Sequence, residues 1–404
     1  MLVWTKRERL ILFVAWLGWT FDIMDAALFN FAKVPLVTEI LGGPARYKIH
    51  GPEAEASLLY ALMIGWTVGG VGFGWLADRI GRIKVMTITI LLYSLFTGLT
   101  VLCSTLPQLV GVRFLTGLGI GGEWAAGAAL VAECVSDEKR ARAASWLQSA
   151  AAIGPCLAAI ANLSLINFGW RSLYLVGVIP ALVGGGLRFF VKETPTVKSK
   201  EKQKVEWSTF WKPATVGIVL GIAGIAVAQN ITFWLPNLVN QLSAGELPEV
   251  IKARQSQAAL VLHIGTFLGV FAVPQLCTMI GRRLTMLVCF LLAPASVWAV
   301  AQLAKDYNTL LILAPIMAFF GIGLSAAFVL YFPELFPARL RATGAGISYN
   351  GGRVIAAFIP FLTALLIRTQ GDVAKSIAQT SFLLAFGVIA LAFAPETKGK
   401  PIEI

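Results

Sequence analysis

LMIGWTVGGVGFGWLADRIGR, residues 62–82, and LHIGTFLGVFAVPQLCTMIGR, residues 262–282, are two copies of one segment set 200 residues apart. They agree at Leu62, Ile64, Gly65, Gly69, Leu76, Ile80, Gly81 and Arg82 and at the positions 200 further on. One residue further in register, Glu133 and Arg140 match Glu334 and Arg341. Self-similarity at a fixed offset marks a fold built by duplication. Each copy is a long apolar run closed by a basic turn, which is how a membrane helix looks where it leaves the bilayer.

The rest of the chain agrees. Of its 404 residues 57% are hydrophobic and 13% charged, where a soluble domain carries about a quarter charged. Apolar runs long enough to span a bilayer, about 18–25 residues, lie near 10–33, 58–77, 85–104, 107–131, 143–166, 172–191, 214–239, 256–277, 284–303, 308–331, 343–367 and 376–394. The expected fold is therefore an all-α membrane protein, with twelve transmembrane helices as two six-helix repeats, 1–191 and 213–404, around a central cavity. Residues 192–212 form the linker between them. Parallel six-helix repeats are a transporter architecture in which one half rocks against the other. The 39 glycines suit closely packed helices in lipid.

The net charge of +12 invites a nucleic-acid reading, but the position of the basic residues explains it otherwise. With the N-terminus inside, 21 of the 33 Lys and Arg fall in inner segments and 8 in outer ones. The positive-inside rule then places both termini and the linker in the cytoplasm. Five cysteines without a CxxC pair read as packing residues, and no metal-ligand spacing is present. The run beginning at KRERLILFVAWL continues through two aspartates without a small-residue cleavage site, so it reads as a retained first span. No P-loop, nucleophile elbow or dinucleotide fingerprint is found, and GLGIGG at 117–122 lies inside an apolar helix. The expectation is a non-enzyme without cofactors.

GWLADRIGRIK at 74–84 resembles the loop between the second and third helices of the major facilitator superfamily. RFLTGLGIGGEW (113–124), GWRSLYLVGVIPAL (169–182), PELFPARLRATG (333–344) and PETKG (395–399) extend that resemblance over nearly the whole chain. It implies the two-bundle fold and a cytoplasmic charge cluster that holds one access state. Asp78, Arg79, Arg82, Glu133, Arg140, Glu334 and Arg341 would belong to that gate. The second copy carries Pro274 for Gly74 and Thr278 for Asp78, which argues against a symmetric latch.

A charge at mid-membrane is expensive, and such residues usually serve a pathway. Five stand out: Asp22 and Asp25 in the first span, Arg113 and Glu123 in the fourth, and Arg353 in the eleventh. Asp22 and Asp25, three apart, share a helical face. Two acids that close in low dielectric do not both stay ionised, so at least one is a candidate proton carrier. A helix cap or a fixed ion pair is the alternative. Arg113 in RxxxGxG resembles a coupling position of the family, with an outer-end ion pair that fixes helix packing as the alternative, and the GGEW around Glu123 resembles organic-acid symporters. Arg353 offers forked donors suited to a carboxylate, with Tyr349 and Asn350 beside it and Gln229 and Asn230 at mid-depth in the seventh span. A salt bridge from Arg353 to an acid is the competing reading. His263 could titrate, and Trp19, Trp66, Trp124 and Trp234 could line a cavity, although packing is the commoner role for a lone histidine and packing or interface anchoring for tryptophans in membrane helices.

GWTFDIMD, GGEW and YNGGR together resemble metabolite:proton symporters for sialate, aromatic acids, nicotinate and monocarboxylates. The resemblance implies symport of a small organic anion with a proton, by a monomer in a bacterial inner membrane, driven by the proton gradient. In the expected mechanism a proton on Asp22, Asp25 or Glu123 weakens that acid's pull on Arg353, which then takes the substrate carboxylate. A sugar or polyol porter is the alternative, because PETKG and PELFP suit that branch; QNITFWLPN in the seventh span and the buried Arg353 do not. A membrane sensor would need a longer cytoplasmic extension than the tails and linker offer.

Overall fold

The computed structural model describes residues 4–134, 137–165, 167–179, 207–336 and 341–398; side chains at 78, 124–134, 137–142, 144–145, 207–209 and 341–343 lie outside that description. All regular elements among the described residues are helices. The first half contains α1 (Lys6–Ile40), α2 (Pro44–Ile80), α3 (Arg82–Leu99), α4 (Leu106–Cys134), α5 (Asp137–Ser164) and α6 (Gly169–Val176). The second contains α7 (Trp207–Leu242), α8 (Pro248–Ile280), α9 (Arg282–Leu303), α10 (Tyr307–Gly321), α11 (Ser325–Glu334), α12 (Arg341–Ala356), α13 (Ile359–Gln370), α14 (Val373–Ser381) and α15 (Leu384–Phe393). Ten described segments are long and apolar enough to cross a membrane. The span expected at 172–191 is described only to residue 179, and the side chains of α4 only to Glu123.

Three expected single spans are each two helices. The tenth breaks at 322–324, between Gly321 and Ser325, where the amides of Ser325, Ala326 and Ala327 bond three residues back instead of four. The eleventh breaks before Pro360, which supplies no amide, and the twelfth breaks at 382–383. α1 is longer than the apolar run that announced it. A capping box, Glu8 N to Thr5 Oγ1 and Thr5 N to Glu8 Oε2, starts it four residues before the apolar run begins.

The chain divides into two compact units, Met1–Lys198 with Pro248–Ser256, and Ser199–Leu247 with Gln257–Ile404. In the first, α2 and α4 pack backbone to backbone. A Cβ on Gly65 or Gly69 would strike the carbonyls of Phe114 or Leu118, and one on Gly117 or Gly121 those of Leu62 or Trp66. The second unit repeats the device, with Gly265 against Pro315 and Gly269 against Phe319. The glycines that matched at an offset of 200 are thus the points where two helices touch, since only a residue without Cβ lets them. Gly81 and Gly281 repeat as well, each turning the chain with φ of 109° and 101° into the next helix. Large apolar side chains such as Val71, Leu102, Ile312 and Phe393 are left largely exposed, as a lipid-facing surface requires.

Candidate functional site

Asp22 and Asp25 on α1 are both fully buried. Thr97 on α3 donates its hydroxyl to Asp25 Oδ1 at 2.7 Å. Arg113 on α4, also fully buried, brings Nη1 to 4.0 Å from Asp25 Oδ2, an ion pair too long for a hydrogen bond. The guanidinium lies 4.4 Å over the ring of Phe29, one turn along α1 from Asp25. Beyond α6, Gly177 presses on the same carboxylate: a Cβ there would lie 3.0 Å from Asp25 Oδ1. Four helices therefore converge on Asp25, and its cation is Arg113 of its own unit. Glu123, further along α4, accepts from the Thr89 hydroxyl of α3 at 3.0 Å; Gly122 allows the approach, since a Cβ there would meet Thr89 Cγ2 at 2.6 Å.

Sequence reasoning missed a second buried ion pair in this unit. Lys33 Nζ lies 3.3 Å from Glu55 Oε2 with both side chains fully buried, and Tyr47 donates its hydroxyl to Glu55 Oε1. Its only sequence signal is a lysine and a glutamate flanking the facing ends of the first two apolar runs. Asp22, Asp25, Phe29 and Lys33 follow a 3-4-4 spacing and so form one stripe along α1. Trp19 and Trp66 pack edge to face at 5.9 Å and are buried, as is Trp234 against Phe233.

In the second unit Arg353 is nearly buried, with its guanidinium 4.9 Å over the ring of Tyr349, four residues earlier on α12. Asn350 is half-buried on the same helix, and Gln229 on α7 likewise. Asn230 is held from both sides: Thr363 of α13 donates to its Oδ1 at 3.0 Å, and its Nδ2 donates to Thr380 of α14 at 2.7 Å. That cluster fixes α7 to the broken last spans. His263 is buried on α8, its Nδ1 without a hydrogen bond among the described residues.

Of the expected gate residues, Arg79 is exposed and stacks 3.7 Å over Trp75, and Arg82 opens α3 half-buried. The side chains of Asp78, Glu133, Arg140 and Arg341, like that of Trp124, lie outside the described residues. Glu334 is engaged. Arg282 reaches it through Nη2 at 2.8 Å and Nε at 3.1 Å, and Thr397 donates a further hydrogen bond. Glu396 of the PETKG segment accepts from the backbone amides of Arg282, Arg283, Thr397 and Lys398. Burial works against its charge, but those amides together hold its carboxyl below the usual carboxylate range.

A sequence profile of the Major Facilitator Superfamily matches residues 13–359. A protein of Cupriavidus pinatubonensis described as a "Probable 4-methylmuconolactone transporter" is 29% identical over 428 residues, covering 100% of this chain and 95% of that protein. The niacin transporter of Acinetobacter baylyi is 25% identical over 438 residues, covering 98% and 96%. Among solved structures, that of a D-xylose-proton symporter superposes with a TM-score of 0.79 over 98% of this chain and 100% of that one. At 19% identity it speaks for the fold alone.

Proposed function

The chain belongs to the Major Facilitator Superfamily, and from that premise we propose that it carries a small organic carboxylate into the cell together with a proton, by alternating access. It is a multi-pass membrane transporter and not an enzyme. The moving bodies are the halves 1–191 and 213–404, joined by the linker at 192–212, with both termini in the cytoplasm of a bacterium. The carrier works as a monomer, and the proton gradient is its energy source.

The observation that carries this reading is the pair Asp25–Arg113, an acid and a guanidinium buried together within membrane helices at 4.0 Å. Arginine stays protonated under any accessible condition, so the partner whose charge can change is Asp25. A proton on Asp25 removes the attraction between α1 and α4 and leaves Arg113 over Phe29; loss of the proton restores it. That two-state contact is a coupling element. Arg353 supplies the anion ligand: its fork of donors suits a carboxylate, and Tyr349, Asn350 and Gln229 stand near it in sequence or depth. Proton and monoanion together carry no net charge, which spares the loaded carrier the expense of moving a charge through low dielectric. Niacin, which the Acinetobacter relative transports, is a small aromatic carboxylate of this class.

The test is uptake of radiolabelled niacin, muconate and other carboxylates, with xylose and other neutral sugars, into proteoliposomes under an imposed pH gradient and after its collapse. Gradient-dependent accumulation of a carboxylate, lost in Arg353→Ala, is expected. Sugar uptake that survives Arg353→Ala would move the chain to the sugar-porter branch.

A further inference from the structure

We infer that Glu123 is a second proton-binding site of the carrier and that Thr89 is its positioning residue, a hydroxyl that donates to Glu123 when the acid is charged and accepts from it when the acid is neutral. The site goes beyond the pair Asp25–Arg113 and stands whether or not that pair couples transport.

Glu123 on α4 and Thr89 on α3 are both buried inside membrane helices. Two glycines of α4 pin the threonine. A Cβ on Gly119 would lie 2.8 Å from the Thr89 carbonyl oxygen, and one on Gly122 would lie 2.6 Å from Thr89 Cγ2. With its main chain and its methyl group both against α4, the side chain cannot change rotamer without moving a helix. Only its hydroxyl hydrogen is free to turn.

That hydrogen has three acceptors in reach: Glu123 Oε2 at 3.0 Å, the Val85 carbonyl at 2.9 Å and the Met86 carbonyl at 3.1 Å. One hydroxyl supplies one hydrogen and two lone pairs. The two carbonyls already receive helix amides from four residues on, so they take a second hydrogen without requiring it. When Glu123 is ionised the hydrogen goes to the carboxylate, where a charge-assisted bond is the stronger. When a hydronium ion of the aqueous phase gives its proton to Oε2 and is left as water, the new O–H donates to Thr89 Oγ1, and the threonine hydrogen turns to Val85 or Met86. One O–H bond has formed on the protein, and the pair is hydrogen-bonded in either state, as buried polar groups require. Thr97 differs. Among the described residues its hydroxyl makes one hydrogen bond, to Asp25 Oδ1 at 2.7 Å, so it serves Asp25 as a donor.

Few other ionisable groups bear on Glu123. Beside Gly121 and Gly122, α2 presents Trp66, Gly70 and Phe73, and it has no titratable residue between Tyr60 and Asp78. On α3 the phenol of Tyr93 stands one turn from Thr89, with Arg82 and Lys84 at the helix start. On α1 no ionisable residue lies between Arg9 and Asp22, and α5 carries its charges only within 137–142. Arg113 is ten residues back along α4, about 15 Å.

The experiment uses the full chain in lipid vesicles and needs no substrate. Infrared difference spectra between about pH 4 and pH 9 follow the C=O bands of protonated carboxyl groups; Glu123→Gln identifies the band of Glu123, and Asp25→Asn that of Asp25. In Thr89→Val the midpoint of the Glu123 band should move by at least about one pH unit, a tenfold change in proton affinity, and the band should rise in frequency because the acid O–H has lost its acceptor. Thr89→Ser should restore both. A threonine that merely fills space would be replaced by valine, its near-isostere, without either change. Thr89→Cys, a weaker donor of similar size, carries the test if Thr89→Val fails to fold, and should move the midpoint by at least about half a pH unit. A Glu123 band that titrates unchanged in these variants overturns the role of Thr89. Absence of any titrating band sensitive to Glu123→Gln overturns the site, and an Asp25 band that titrates in the same spectra then leaves the coupling reading standing.

Discussion

Gly154→Ala places the account under direct mechanical test, because Gly154 on α5 lies against the backbone of α1 between Trp19 and Asp25. The added Cβ would stand 2.6 Å from the Thr20 carbonyl oxygen, 2.9 Å from Met24 N and 3.0 Å from Ile23 Cβ. Real Cβ contacts essentially never fall below 3.0 Å, and ordinary contact begins at 3.4 Å. The two helices must therefore part by about 0.4–0.8 Å, since the obstacle is main chain and cannot rotate away. A gap of that size forfeits roughly a quarter to a half of each dispersion contact along the seam, and overpacking of this kind costs about 1–3 kcal/mol. For a unit of this size, where each kcal/mol moves the melting temperature by about 2–4 °C, the expected fall is roughly 2–12 °C. Because α1 carries Asp22 and Asp25, gradient-driven uptake should fall as well. Gly111→Ala on α4 is the control: nothing lies within 4 Å of its Cβ, and better helix propensity should leave it neutral or raise stability by up to about 1 kcal/mol. Thermal unfolding of the two purified variants in one detergent is the assay. Equal melting temperatures for Gly154→Ala and Gly111→Ala would refute the reasoning.

Other expectations follow from single contacts. Lys33→Met should destabilise by about 3–5 kcal/mol by leaving Glu55 buried without its cation, and Lys33→Met with Glu55→Gln should recover most of that loss; a double variant no better than the single one would show that the pair does not act as a unit. Acid sensitivity should be traceable to Glu396. Its folded-state carboxyl is held below the usual range, so its contribution is present above the unfolded value and is lost as pH falls through the folded one. Unfolding curves between about pH 6 and pH 3 should therefore be flatter in Glu396→Gln, and identical slopes would count against the cap. Asn230→Leu breaks the bonds to Thr363 and Thr380, whose hydroxyls keep their bonds to each other and to carbonyls of their own helices, so the expected loss is about 0.5–1.5 kcal/mol for each bond removed, readable in the same melting assay.

The duplicated architecture was legible because the constraint behind it is local. Gly65, Gly69, Gly265 and Gly269 stand where a Cβ would meet a neighbouring backbone, so they recur at a fixed offset. Asp22, Asp25, Arg113 and Arg353 announced themselves as charges inside apolar runs. What spacing along a helix does not yield is which neighbour each charge faces. The sequence set the first-span acids either against Arg353 or in a fixed pair with a cation of a neighbouring helix, and could not say which helix; the cation beside Asp25 is Arg113, brought there by the glycine seam of α2 and α4 and by α3 behind it. Thr97 gave no signal, since a threonine hydroxyl in an apolar helix can satisfy itself on its own backbone and is unremarkable until its neighbour is known. Lys33 and Glu55 were passed over because each stood at the edge of an apolar run, where a charge is ordinary; α1 extends to Ile40 and α2 begins at Pro44, which puts both inside the packed helices. The breaks at 322–324 and before Pro360 depend on how one helix turn tightens, which hydropathy does not record.

The most direct test of the central claim compares two modes of transport in Asp25→Asn, using a carboxylate that the wild-type protein accumulates. An imposed gradient of about two pH units supplies ~2.7 kcal/mol per proton, enough for roughly hundredfold accumulation of a monoanion carried one to one. Exchange of labelled for unlabelled substrate at equal concentrations needs no net proton movement. The account predicts that Asp25→Asn retains exchange and loses accumulation. Undiminished accumulation in Asp25→Asn would show that the proton travels elsewhere and would contradict the account.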